Sequence, residues 1–175
     1  MLGERSVPMT YVVEPFELKE AKAAHELFMV SLGALLLLGP MAIFLGVGRV
    51  AMLIPVSFSA AFTLYTYFRV SRSRSWFIEV HWRLALRNYR WLFIGYSITA
   101  LLLLASWGVE LSSSAGSPSQ FLATALIRIG VMPTIVMVFA CFVIENGALN
   151  QVLRHEVPER LLKKYPPPQD IKHSA

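Results

Sequence analysis

Apolar residues run along this chain in four long blocks separated by short polar stretches. The blocks cover residues 27–46, 50–68, 91–109 and 121–144, and each carries at most one charge. At about 1.5 Å per helical residue, some 20 residues cross ~30 Å of hydrocarbon. The pattern therefore predicts an all-α fold, a four-helix transmembrane bundle in one domain. A link as short as Leu45-Gly46-Val47-Gly48-Arg49 forces an antiparallel hairpin between the first two spans. Between the third and fourth lies a Ser/Gly-rich connector, residues 111–120, without a lysine or arginine. Pro40, Pro55 and Pro133 fall inside spans, and each predicts a local bend.

The polar segments set the direction. Residues 1–26, 69–90 and 145–175 share one side of a four-span protein and carry fourteen of the sixteen Lys and Arg residues. The other side has Arg49 alone, with Arg128 inside the fourth span. Basic residues collect on the cytoplasmic side, so both termini and the central segment are expected there. Residues 1–26 are polar and acidic as well as basic, unlike a signal peptide, so the first apolar helix is expected to direct insertion. Glu14-Pro15 before Phe16-Glu17-Leu18 reads as a helix start on the cytoplasmic surface. Tyr165-Pro166-Pro167-Pro168 cannot continue a helix, and the tail is expected to be extended.

Composition narrows the class. The chain has 175 residues, 55% hydrophobic and only 15% charged, which is a membrane composition. A net charge of +5 would fit a nucleic-acid binder, but the basic residues flank apolar blocks, so anionic lipid headgroups are the expected partner and nucleic acid is not. The single Cys141 leaves no disulfide framework.

Residues 69–90 are the most informative polar segment and are expected to form a cytoplasmic amphipathic helix between spans two and three. Glu79, Arg83, Arg87 and Arg90 recur at spacings of four, four and three, a single charged stripe. Trp76 and Trp82 flank it, and His81 and Asn88 lie seven apart on the opposite side. Aromatic rings with one arginine line suit a helix at headgroup level. The alternative is a helix continuous with the third span, projecting into the cytoplasm and docking on a partner, and the His81–Asn88 line suits such burial against protein. Trp76, His81, Trp82, Arg83, Arg87, Asn88 and Arg90 are thus the candidate lipid or partner contacts.

Charges near the hydrocarbon are the second signal. Counting helical rise from the cytoplasmic ends places Arg128 and Glu110 at similar depth on consecutive spans, so they are expected to pair. Glu145 ends the fourth span where Arg69 and Arg90 also emerge, and a structural ion pair is expected there. The second span is hydroxyl-rich (Ser57, Ser59, Thr63, Tyr65, Thr66, Tyr67) and reads as the buried one, while Ser57/Ala61, Ser59/Thr63 and Gly95/Thr99 are small pairs that admit a close neighbour.

No catalytic, cofactor or metal site is expected. A haem needs two ligands at matching depth, and His25 with His81 is the only pair to consider. The single Asp170 lies in the tail, so there is no paired-aspartate or mid-span acid chemistry. These features point to a non-catalytic subunit or assembly factor of a larger membrane complex, in a bacterial inner membrane. Alternatives are a small oligomeric transporter or channel, and a lipid-modifying or redox enzyme.

Overall fold

The structure, a computed structural model, describes residues 10–44, 53–73, 75–112 and 118–169. The link 45–49 and residues 113–117 of the connector lie outside the described residues. Six helices follow in order: α1 Pro15–Phe44, α2 Leu53–Val70, α3 Trp76–Leu111, α4 Pro118–Gly130, α5 Met132–Leu153 and α6 Glu159–Leu162. Apart from an isolated bridge between Thr10 and Glu156, all regular structure among the described residues is helical.

Among the described residues, three helical stretches are long and apolar enough to cross a membrane: Pro15–Leu38, Trp76–Leu111 and Pro118–Leu153, the last being α4 and α5 together. The second apolar block is helical but falls outside this set. Its hydroxyls, tyrosines and Arg69 dilute the apolar content of the 18 residues of α2.

Residues 1–87 and 144–175 form one compact unit, and residues 88–143 form a second. In the first unit α1 starts as its sequence predicts. Pro15 takes the first helical position, where a missing N–H costs nothing, and Glu17 accepts the Glu14 N–H at 3.2 Å. The helix is continuous from the polar segment into the apolar block, and Pro40 does not interrupt it. Its inner stripe is Ala21, Ala24, His25, Phe28, Ser31, Leu32 and Leu35, all buried.

The central polar segment is not a separate helix. The chain turns after Val70, and α3 then runs 36 residues without a break. At helical rise that is ~54 Å, well beyond the ~30 Å of hydrocarbon, so a leading portion projects past the apolar stretch. Residues 76–90, with Glu79, Arg83, Arg87 and Arg90, are that portion. Its other face packs inward: Phe77, Val80 and Leu84 join Tyr11, Ala21, Ala148, Val152, Val157 and Leu161 in one core cluster. Ile78, Trp82 and Ala85 join Ala24 in another.

The end of α5 is closed by a Schellman motif. His155 adopts φ 58°, its N–H donates to Val152 O at 2.9 Å, and the Glu156 N–H reaches Gln151 O at 2.8 Å. The reversed chain then pairs with the N-terminal segment, where the Tyr11 N–H donates to His155 O at 3.1 Å. The tail does not hang free through its prolines: Trp76 Nε1 donates to Tyr165 O at 3.1 Å, and Arg83 sits 4.3 Å from the Tyr165 ring centroid.

The second unit is an antiparallel packing of α3 against α4 and α5. Gly95 meets Met137 and Pro133, Thr99 shares a 2.8 Å hydrogen bond with Thr134, Gly130 abuts Leu102, and Ser106 Oγ donates to Ala123 O at 2.9 Å. The small pair Gly95/Thr99 thus lies on the contact face. Pro133 has no N–H to return to α4, and the helix breaks at Val131, restarting with Ile135 N–H to Val131 O at 3.3 Å. A Cβ on Gly95 would stand 2.9 Å from both Met137 Cβ and Cγ and 3.2 Å from Pro133 O. Gly95→Ala should therefore lower stability by about 1–3 kcal/mol, read as a fall in the thermal midpoint in detergent. Gly33→Ala, with nothing within 4 Å, is the matched control.

Candidate functional site

Polar side chains with no exposure at all are uncommon, because each must find its partners inside the protein. The first unit holds three titratable ones in a row. His25 comes from the inner stripe of α1, His81 from the projecting part of α3, and Glu145 from α5, each 0% exposed. His25 Nδ1–H donates to Glu145 Oε1 at 2.6 Å, and His25 Nε2 lies 3.2 Å from His81 Nδ1. The imidazoles stand edge to face, with centroids 5.4 Å apart and planes at 81°, and Phe77 closes the far side of His81 at 4.7 Å. The outer nitrogen of His81, Nε2, is buried and makes no hydrogen bond.

Helical spacing puts these residues where they are. His25 is one turn from Ala21 and adjacent to Ala24, two small residues that let α3 come close. His81 sits between Phe77 and Ala85 on the inward face, opposite the arginine stripe. Glu145 stands three residues before Ala148 and seven before Val152, the buried line of α5.

The expected pairing of Glu145 with Arg69 or Arg90 is replaced by His25. Arg69 instead pairs with Glu20 of α1 and lies 5.7 Å from the Trp82 ring centroid, while Arg90 is exposed. The reason is angular. Glu145 points to the same side as Ala148 and Val152, into the core, whereas Arg69 is only partly buried on α2. His25 and His81 meet ring to ring, edge on, instead of facing one another across a gap.

The other candidate contacts divide by face. His81, Trp82 and Asn88 are buried, Trp76 and Arg83 are half-buried, and Arg87 and Arg90 are exposed. The protein element that covers the His81 face is the chain's own α1 and tail. Arg83 is held by Glu79, its Nε donating at 2.8 Å. With Lys164 it also holds the Tyr165 phenol below its ordinary pKa, chiefly through the hydrogen bond from Arg83. Arg128 and Glu110 are both exposed, and no ion pair joins them in the structure. The contacts of the second unit pair residue 106 with 123 and residue 99 with 134, so the level of Glu110 falls near residue 120, about two turns from Arg128.

On α2 the hydroxyls mostly serve the helix itself. Thr63 and Thr66 donate to the carbonyls of Ser59 and Phe62, each at 2.8 Å. Ser59 and Thr66 are buried, while Ser57, Tyr65 and Tyr67 face outward. The second block is therefore buried along one face only. Among the described residues no group of three or more His, Cys, Asp or Glu is arranged to hold a metal ion.

Burial dominates the titration of His81, in the part of α3 outside the apolar stretch. Desolvation first, then the nearby His25, push its pKa down to about 3, partly offset by the Glu156 backbone. Between the ordinary value of 6.5 and about 3, the unfolded chain binds a proton that folded His81 refuses. Stability from this group is thus complete above pH 6.5 and lost as the pH falls toward 3. His81→Phe should flatten that acid limb of the thermal-midpoint profile while lowering the midpoint at neutral pH. An acid limb as steep as in the parent protein would show that His81 is not its source. Comparison of the chain with protein-family models, with curated proteins and with solved structures gives no match.

Proposed function

We propose that the chain is a four-span membrane protein with both termini cytoplasmic, acting as a non-catalytic subunit or assembly factor of a larger membrane complex. A bacterial inner membrane is the proposed location. The observation that carries this reading is the sealing of the Glu145–His25–His81 row. It is the constellation closest to acid–base chemistry in the described chain, and all three side chains have zero exposure. A general acid or base must come within hydrogen-bond reach of a substrate. None of the three has exposed surface through which a substrate in solution would be met.

The outer surface supports the same reading. Arg87 and Arg90 are exposed beside Trp91, itself 48% exposed, a combination suited to anionic headgroups at the membrane border. Tyr65, Tyr67 and Phe68 project from the end of α2 with more than half their surface open. Aromatic rings of this kind anchor helices at interfaces and anchor protein contacts equally well.

Two measurements test the proposal. With Cys141 replaced by alanine, single cysteines at Gly48 and Ser112 should react with an impermeant maleimide from outside, and cysteines at Ser71 and Gln169 only from the cytoplasmic side. Labelling of Gly48 and Ser71 from the same side would remove the second span. Mild-detergent purification should yield a defined complex with another membrane protein, and replacing Tyr65 and Tyr67 with alanine should deplete it several-fold. A lone monomer, together with liposome flux abolished by Arg128→Ala, would replace the subunit with a transporter.

A further inference from the structure

Arg128 stands inside the last apolar stretch of the chain, and its place on α4 turns it away from the helix that α4 packs against. Ala123 and Gly130 are the buried residues of α4 and make its contact with α3. At 3.6 residues per turn, Arg128 lies about 140–160° around the helix from both. Phe121, Thr124 and Ala125 precede it by seven, four and three residues, the spacing of one helical face, and all are exposed. Phe121 leaves 76% of its surface uncovered, and Ile129, next to Arg128, leaves 61%. The Thr124 hydroxyl donates to Gln120 O at 3.0 Å and brings no charge. A cation therefore sits within an apolar, outward face.

Its depth follows from the facing helix. Residues 91–109 of α3 are 19 uncharged residues. At helical rise they cover ~28 Å, nearly the whole hydrocarbon, so Glu110 marks a border. The level of Glu110 falls near residue 120, which puts Arg128 about two turns inside that border. The residues between, Phe121 to Ile127, are uncharged. Helical side chains lean toward the N-terminus, and the arginine stem carries its guanidinium about one turn back toward the border. About one more turn separates it from the phosphate layer. A charge held there is costly unless an opposite charge meets it.

The chain's own acids lie elsewhere. Residues 27–144 contain only Glu79 and Glu110. Glu79 is on the projecting part of α3 with Arg83, and Glu110 is at the border. The other nine acids fall in the terminal segments 1–26 and 145–175, which the four-span reading puts at the opposite border. A second copy does not change this. Rotation about an axis normal to the membrane keeps each residue at its own depth, so its Glu110 stays about two turns away.

We propose that the Arg128 face of α4 is the docking surface for a transmembrane helix of a different protein, which presents an Asp or Glu to the guanidinium about one to two turns inside the border. The proposal rests on the subunit reading and supplies the chemistry of its contact. Phe121 and Ile129 pack on the partner around the ion pair and keep lipid from it, an arginine and aromatic combination typical of interface anchors.

The test uses the complex from mild-detergent purification of the whole chain. Arg128→Lys should keep the complex, Arg128→Leu should deplete it several-fold, and Arg128→Glu should abolish it. The thermal midpoint of the separated chain with Arg128→Leu should equal or exceed the parent's, because the position is exposed, and this separates lost docking from lost folding. A benzophenone side chain in place of Phe121 should crosslink to the partner beside an Asp or Glu of its span. Changing that acid to arginine together with Arg128→Glu should restore the complex, and failure of the reversal overturns the ion pair. A full yield of complex with Arg128→Leu, while alanine at Tyr65 and Tyr67 still depletes it, overturns the contact and leaves the subunit reading standing. A parent chain that purifies alone overturns both. Loss of one bound phospholipid in Arg128→Leu with the complex retained, read by native mass spectrometry, assigns the arginine to a headgroup and also overturns the contact.

Discussion

A carboxylate with no exposure has to be neutralised or saturated with hydrogen bonds, and Glu145 imposes that requirement on the whole first unit. Its partner comes from α1, that partner's second nitrogen meets α3, and α3 is met in turn by the chain that follows α5. Removing one member of such a set leaves the others buried and unsatisfied, which costs more than the bonds contribute when complete. The apolar clusters around it, built on Phe77, Val80, Trp82 and Val152, supply the bulk of the burial. They tolerate several packings in a way that a directed row of polar atoms does not. The row therefore selects one arrangement of helices from those the apolar faces permit.

The three helical stretches long and apolar enough to span were readable because hydrocarbon accepts so few residue types. Helix locations follow the apolar blocks, and Pro15 with Glu17 marks the start of α1. Pro133 marks the break between α4 and α5. The projecting part of α3 was visible as a charged stripe opposite a His81–Asn88 line, and both of those polar residues are buried. What covers them was not readable. Their cover comes from residues remote in sequence, and no local periodicity encodes a contact between residues 25 and 145.

Glu145 was legible as an unusual acid at the end of an apolar run. Its partner was assigned by depth alone, and depth does not say which way a side chain points. The buried line through Ala148 and Val152 carries that information, at spacings of three and seven. Similarly, counting rise from Trp91 and Glu145 put Arg128 and Glu110 level, whereas the register comes from the contacts of Gly95, Thr99 and Ser106 with the facing helix. Hydroxyls on α2 suggested a buried helix, but Thr63 and Thr66 spend theirs on their own backbone.

The 120 residues that separate His25 from Glu145 also order events during synthesis. At roughly 5–20 residues per second, about 6–24 s pass between the appearance of the histidine and that of its acid. During that interval α1 must stay near the bilayer with a polar ring on its inner stripe and without the acid that receives its Nδ1–H. An insertion factor that shelters the border of α1 would have its opportunity then. Once the reversed chain after His155 arrives, the same surface is closed and the shelter has nothing left to hold.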